Sequence, residues 1–113
     1  MEAKATAKYI RTAPRKARLV ADEIRGKMVG DALSLLQFSI NRSVAEDISK
    51  LIKSAVANIQ SKNTDITVDA DELRVANIYV NEGPVLKRYR ARAQGRAGKI
   101  IKRMCHISVT VAN

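Results

Sequence analysis

The stretch GPVLKRYRARAQGRAGKIIKR, Gly83 to Arg103, most limits what this chain can fold into. It carries eight basic side chains, Lys87, Arg88, Arg90, Arg92, Arg96, Lys99, Lys102 and Arg103, and no acidic residue follows Gly83. Its only strong apolar pairs are Val85-Leu86 and Ile100-Ile101. Unpaired charges are far too costly to bury, so this segment cannot form part of a core. The residues around it nevertheless read as extended. Ile78, Tyr79 and Val80 lead in, while Cys105, Ile107, Val109 and Val111 alternate with His106, Ser108 and Thr110, the period of a half-buried strand. Between Ala91 and Gly98, the residues Gln94, Gly95 and Gly98 supply the permissive backbone of a reversal. The pattern predicts one long hairpin with a basic tip, each arm about 30 Å long at roughly 3.3 Å per residue. A lone two-stranded ribbon is marginal in water. Something outside the chain is expected to hold it, and its charge asks for a polyanion.

The charge distribution supports this expectation. Residues 1–27 carry eight basic and three acidic groups, residues 28–82 five and eight, and residues 83–113 eight and none, giving the net +10. A globular middle flanked by two basic regions is the electrostatic footprint of a nucleic-acid protein. One domain is expected over the 113 residues, with the hairpin at about 83–104. The basic run lacks the helical apolar stripe used at membrane surfaces. With no long apolar run and no signal-peptide pattern, the expected location is cytoplasmic and no membrane partner is expected. The single Cys105 excludes an internal disulfide.

Taken in order, residues 3–11 alternate Ala3, Ala5, Ala7 and Tyr9 with Lys4, Thr6 and Lys8, a strand with a small-residue inner face and a basic outer one. Pro14 suits the first turn of a helix capped by Thr12 or Ala13, with Ala17, Val20, Ala21 and Ile24 inward and Gly26 at its end. Arg15, Arg18 and Arg25 fall off that stripe, with Arg18 and Asp22 spaced to pair. Asp31 is placed to cap a second short helix, Ala32 to Ile40, whose Leu33, Leu36 and Ile40 share a face with Ala32 close by. A third helix, about Arg42 to Gln60, carries Val44, Ile48, Leu51, Ile52, Ala55, Val56 and Ile59 on one stripe. A polar linker then leads to a strand from Leu73 to Asn81. The fold class is α+β: three helices packed on a small antiparallel sheet of the N-terminal, entering and returning strands, with a long protruding basic β-hairpin.

Other chemistry finds little support. Asp65, Asp69, Asp71 and Glu72 lack the glycine and carboxylate ladder of a calcium loop. Cys105 and His106 are strand neighbours facing opposite ways, useless as a nucleophile and base, and too few for zinc. Gly95-Arg96-Ala97-Gly98 matches a GxxG, but a KH loop joins helices rather than strands. A disordered cationic tail would lack Val85, Leu86, Ile100 and Ile101. A DNA-packaging β-arm would carry an apolar wedge at its tip, and none stands between Tyr89 and Gly98. No enzyme activity, cofactor or metal is expected.

The run NEGPVLKRYRARAQGRAGKIIKRMCHISVTV, preceded by APRKARLVADEIRGK, resembles the family of bacterial large-subunit ribosomal protein twenty-two over essentially the whole chain. The resemblance implies a structural protein of the large ribosomal subunit that supports assembly. Its globular part would lie at the outer surface near the exit of the polypeptide tunnel, with the hairpin running inward through ribosomal RNA. The RNA-held arms would be Lys87, Arg88, Lys99, Lys102 and Arg103, and the tip Ala91 to Arg96, where family members often have proline in place of Ala91. Charge pattern and resemblance together give an expected ribosomal-RNA-binding set of Arg11, Arg15, Lys16, Arg18, Arg25, Lys27, Lys87, Arg88, Arg90, Arg92, Arg96, Lys99, Lys102 and Arg103. Arg92, Gln94, Gly95 and Arg96 would line the tunnel and meet the nascent chain. Neighbouring ribosomal proteins are the other expected partners, without homo-oligomers.

Overall fold

The computed structural model describes residues 2–62, 69–91 and 93–113, so Asp65 of the acidic linker and Arg92 of the tip lie outside the described residues. Three helices, α1 (Pro14–Ile24), α2 (Val29–Gln37) and α3 (Arg42–Lys62), cover one face of a sheet built from β1 (Glu2–Ile10), β2 (Arg74–Glu82) and β5 (Cys105–Ala112). The sheet is antiparallel with order β1-β5-β2, the returning strand in the centre. Its alternating sequence explains that position: Cys105, Ile107, Val109 and Val111 are fully buried against the helices, and the residues between them face away. Two further strands, β3 (Leu86–Ala91) and β4 (Ala97–Lys102), pair antiparallel as a separate ribbon. The α+β arrangement is as the residue pattern predicts.

The core is aliphatic. Val20 and Ile24 of α1 meet Ile48, Ile52 and Ile59 of α3 over Val75, Ile78 and Ile107. Ala17, Ala21 and Ala55 have no exposed surface, which lets the helices approach the sheet closely. Full burial of such an isoleucine stabilises by about 1.5–3 kcal/mol.

The β2 edge of the sheet is closed along much of its length, and the β1 edge is touched at one point. On β2, the α1–α2 connection zips onto the strand: Gly26 N–H donates to Val75 O, Val75 N–H to Lys27 O, and Val29 N–H to Leu73 O. Gly26, at φ +80, turns the chain out of α1 onto this edge, a conformation that favours glycine. Further along, Arg25 donates to Ile78 O at 2.9 Å, and Arg18 reaches Val80 O at 3.1 and 3.3 Å. On β1, the Asn58 amide of α3 donates to Lys4 O. The satisfied carbonyls of β2 offer no template to a second chain.

Several expectations change. The second helix starts at Val29 with Met28 at its cap and no side-chain capping bond, so Asp31 lies inside the first turn, where its charge still suits the helix dipole. It stops at Gln37, leaving Ile40 98% exposed instead of on the helix's apolar face. Asp22 pairs with Arg25 at 2.6 Å and not with Arg18, because Arg18 is drawn to the β2 edge. Tyr9 does not face inward. The β1–β5 register shifts between Ala7 and Ile10, Tyr9 takes φ 60, and Ile10 packs against the core in its place. Gly98 is not in the reversal; it sits within β4 opposite Arg90.

Candidate nucleic-acid interface

The hairpin leaves the body where Gly83 N–H donates to Met104 O at 2.9 Å. A Cβ on Gly83 would stand 3.2 Å from the Met104 carbonyl carbon and 3.3 Å from the His106 ring, so the two strands close here only around glycine. Beyond it Pro84 and Val85 stand against Arg103 alone before pairing resumes at Leu86 and Lys102. Pro84 has no N–H to give to a ladder, and a two-against-one mismatch suits it. The ribbon then runs in register from Leu86 opposite Lys102 to Ala91 opposite Ala97. The molecule measures 66 × 25 × 15 Å, so the arm dominates its long axis.

Strand alternation divides the ribbon's charge between two faces. Leu86, Arg88 and Arg90 share one with Lys102 and Ile100; Lys87 and Tyr89 share the other with Ile101 and Lys99. Every described side chain of the ribbon is exposed or only half buried, including Tyr89 at 77%. Both faces are therefore cationic and wet, a shape that fits insertion between phosphate walls. The chain reverses at Ala93–Gly95, where Gln94 and Gly95 both take positive φ, 64° and 71°. Consecutive positive φ matches the twist of a tight hairpin. Gln94, Gly95 and Arg96 are exposed at this end.

On the body, Arg11, Arg15, Lys16 and Lys27 project into solvent. Arg11 and Lys16 come together with Arg42 around a groove between the starts of α1 and α3. The cap of α1 is Ala13, which offers no side-chain acceptor to the first-turn amides. Nothing in the local spacing of Arg42 links it to Arg11; only the fold does. Arg18 and Arg25 are different, since the edge of β2 already engages part of each guanidinium. Each keeps further N–H donors facing solvent.

The outer side of the sheet is the second region overlooked. Lys4 Nζ donates to Tyr79 Oη at 2.7 Å and lies 5.2 Å from that ring's centre. This bond holds the Tyr79 hydroxyl below its ordinary pKa. Thr6 and Ser108 hydroxyls meet at 3.2 Å, and His106 Nδ1 accepts the Tyr9 N–H at 3.0 Å while the two rings meet edge to face. Cys105 and His106 point opposite ways, as alternation requires, and burial pushes the Cys105 thiol up. Among the described residues no group of histidine, cysteine and carboxylates could hold a metal ion, and no helix is long and apolar enough to cross a membrane.

The model of the ribosomal protein L22p/L17e family matches residues 5–112, so body and arm are both covered. The chain belongs to that family. It is also 56% identical over 110 residues to the large ribosomal subunit protein uL22 of Syntrophus aciditrophicus (strain SB), covering 96% of each chain. A member of the L22p/L17e family is a structural component of the large ribosomal subunit, not an enzyme. The family assignment agrees with the resemblance carried by the two sequence motifs.

Proposed function

We propose that this chain is held in the large ribosomal subunit by direct contact with ribosomal RNA. The ribbon arms, through Lys87, Arg88, Arg90, Lys99, Lys102 and Arg103, run between RNA phosphates, and the tip, with Arg92, Gln94, Gly95 and Arg96, lines the polypeptide exit tunnel. The observation that carries the reading is a two-stranded arm with no core of its own, cationic on both faces and without an acidic residue along its length. Each basic group that meets phosphate releases counterions, so affinity falls steeply with salt. Arginines predominate towards the tip, and their planar forks suit bidentate phosphate contact and base stacking. By bridging RNA segments the arm supports subunit assembly, while Arg11, Arg15, Lys16, Arg18, Arg25 and Lys27 fasten the body in the cytoplasmic ribosome beside neighbouring proteins. The nascent polypeptide is the partner at the tip.

Cosedimentation of tagged protein from lysate, before and after a high-salt wash, tests this. Retention with the large subunit through the wash is the expected result. Release onto bulk DNA and RNA alike would favour a free nucleic-acid binder instead.

A further inference from the structure

Among the described residues no helix or strand covers the outer side of the β1-β5-β2 sheet, and its side chains form a polar, cationic surface. Lys4 and Lys8 stand on it by the alternation of β1; Glu2 occupies the far end, in the row of Arg74. The strands place Tyr79 and His106 beside them. Tyr9 joins from the register shift of β1, its φ of 60 being a conformation rarely adopted by an aromatic residue. Such strain persists only where surrounding contacts impose it, and it clusters at working surfaces. Here the His106 ring provides those contacts, accepting the Tyr9 N–H and meeting its ring at 5.0 Å. The result is a tyrosine turned out of the core and 61% exposed on a cationic sheet.

We infer that this face binds an unpaired segment of ribosomal RNA, Tyr9 stacking on a base and Lys4 and Lys8 meeting phosphates. This rests on the ribosomal-RNA reading above but places a second contact surface away from the arm. An aromatic ring on an open sheet suits splayed-out bases, whose stacking needs no particular sequence. The strip from Lys4 to Tyr9 is about 16 Å long at roughly 3.3 Å per residue, room for a short run of nucleotides. A membrane or an apolar protein partner fits poorly, because Thr6, Asn77, Asn81 and Thr110 leave the face polar throughout. Lys4 is already poised, since its contact with Tyr79 orients the ammonium across the sheet.

The test is the affinity of the full chain for large-subunit ribosomal RNA across a salt series. Tyr9→Gly is the decisive variant, because glycine accepts φ 60 without strain and the fold should be kept or eased. Tyr9→Gly is expected to weaken binding roughly tenfold. Lys4→Ala/Lys8→Ala should lower the salt slope by about 0.7 per lysine. Circular dichroism should show the fold unchanged in both. If both variants bind like wild type with an unchanged slope, while Arg88→Ala/Arg103→Ala weakens binding, the sheet face is idle and the inference fails alone. If wild type shows no preference for ribosomal RNA over bulk DNA, the underlying reading fails and the inference falls with it.

Discussion

Body and arm are made of the same backbone pairing but hold together by opposite means. In the body, the β2 edge is capped, hydroxyls meet hydroxyls, and isoleucines with no exposed surface fill the space between helices and strands. In the ribbon no described side chain is fully buried, and its cations have no acid on the same segment to answer them. The body's order follows from its own buried residues, whereas the arm lacks a core and, in the function proposed above, is held by ribosomal RNA. The contrast teaches that one short chain can concentrate its core in one region and an exposed, acid-free cationic surface in another.

The largest effect should come from reversing charge on the arm. If Arg88 and Arg103 meet phosphate as proposed, Arg88→Glu/Arg103→Glu replaces two attractions with two repulsions, and RNA affinity should fall on the order of a thousandfold. The melting temperature of the free protein should stay within a degree or two, since neither side chain is buried. Normal incorporation of this variant into the large subunit would break the comparison. The reciprocal variant is Ile52→Ala, a full truncation between α3 and the sheet. It should cost about 2–5 kcal/mol in urea denaturation and leave the salt slope of RNA binding untouched at temperatures where the protein stays folded.

The junction gives a smaller and sharper probe. Gly83→Ala brings a methyl group within 3.2 Å of the Met104 backbone, which cannot swing aside. We expect a loss of about 1 kcal/mol and weaker RNA binding together, because this position belongs to both regions. The smallest effect concerns Cys105. Burial raises its thiol pKa in the folded state, so the folded chain keeps a proton that the unfolded chain loses near about pH 8.5. The contribution is whole below that value and declines as pH climbs from it towards the folded pKa. Urea midpoints measured at pH 7 and again above pH 9 should therefore fall less in Cys105→Ala than in wild type.

What the sequence disclosed and what it hid follow the range of the interactions involved. The stripe of α3 and the alternation of β5 are local periodicities, and both appear as predicted. The acid-free run marks the ribbon for the same reason. Tyr9 was read as inward because a strict period of two assumes no bulge, and the shift near Ala7 depends on the partner strand. The places of Arg18 and Arg25 on the β2 edge depend on residues more than fifty positions away. Ile40 falls on the apolar face of the second helix by spacing alone, a pattern that continues past the real end of α2 at Gln37. The open sheet face escaped because its residues are scattered over three strands, each looking merely polar in its own segment.

Hydrogen exchange on the free protein, and again with large-subunit ribosomal RNA, tests the division of labour most directly. The account predicts strong protection of β5 and α3 in both states. Amides of β3 and β4 should be nearly unprotected in the free chain and slow sharply on binding. Arm amides as protected as those of β5 without RNA would contradict it, since the ribbon would then be stable on its own.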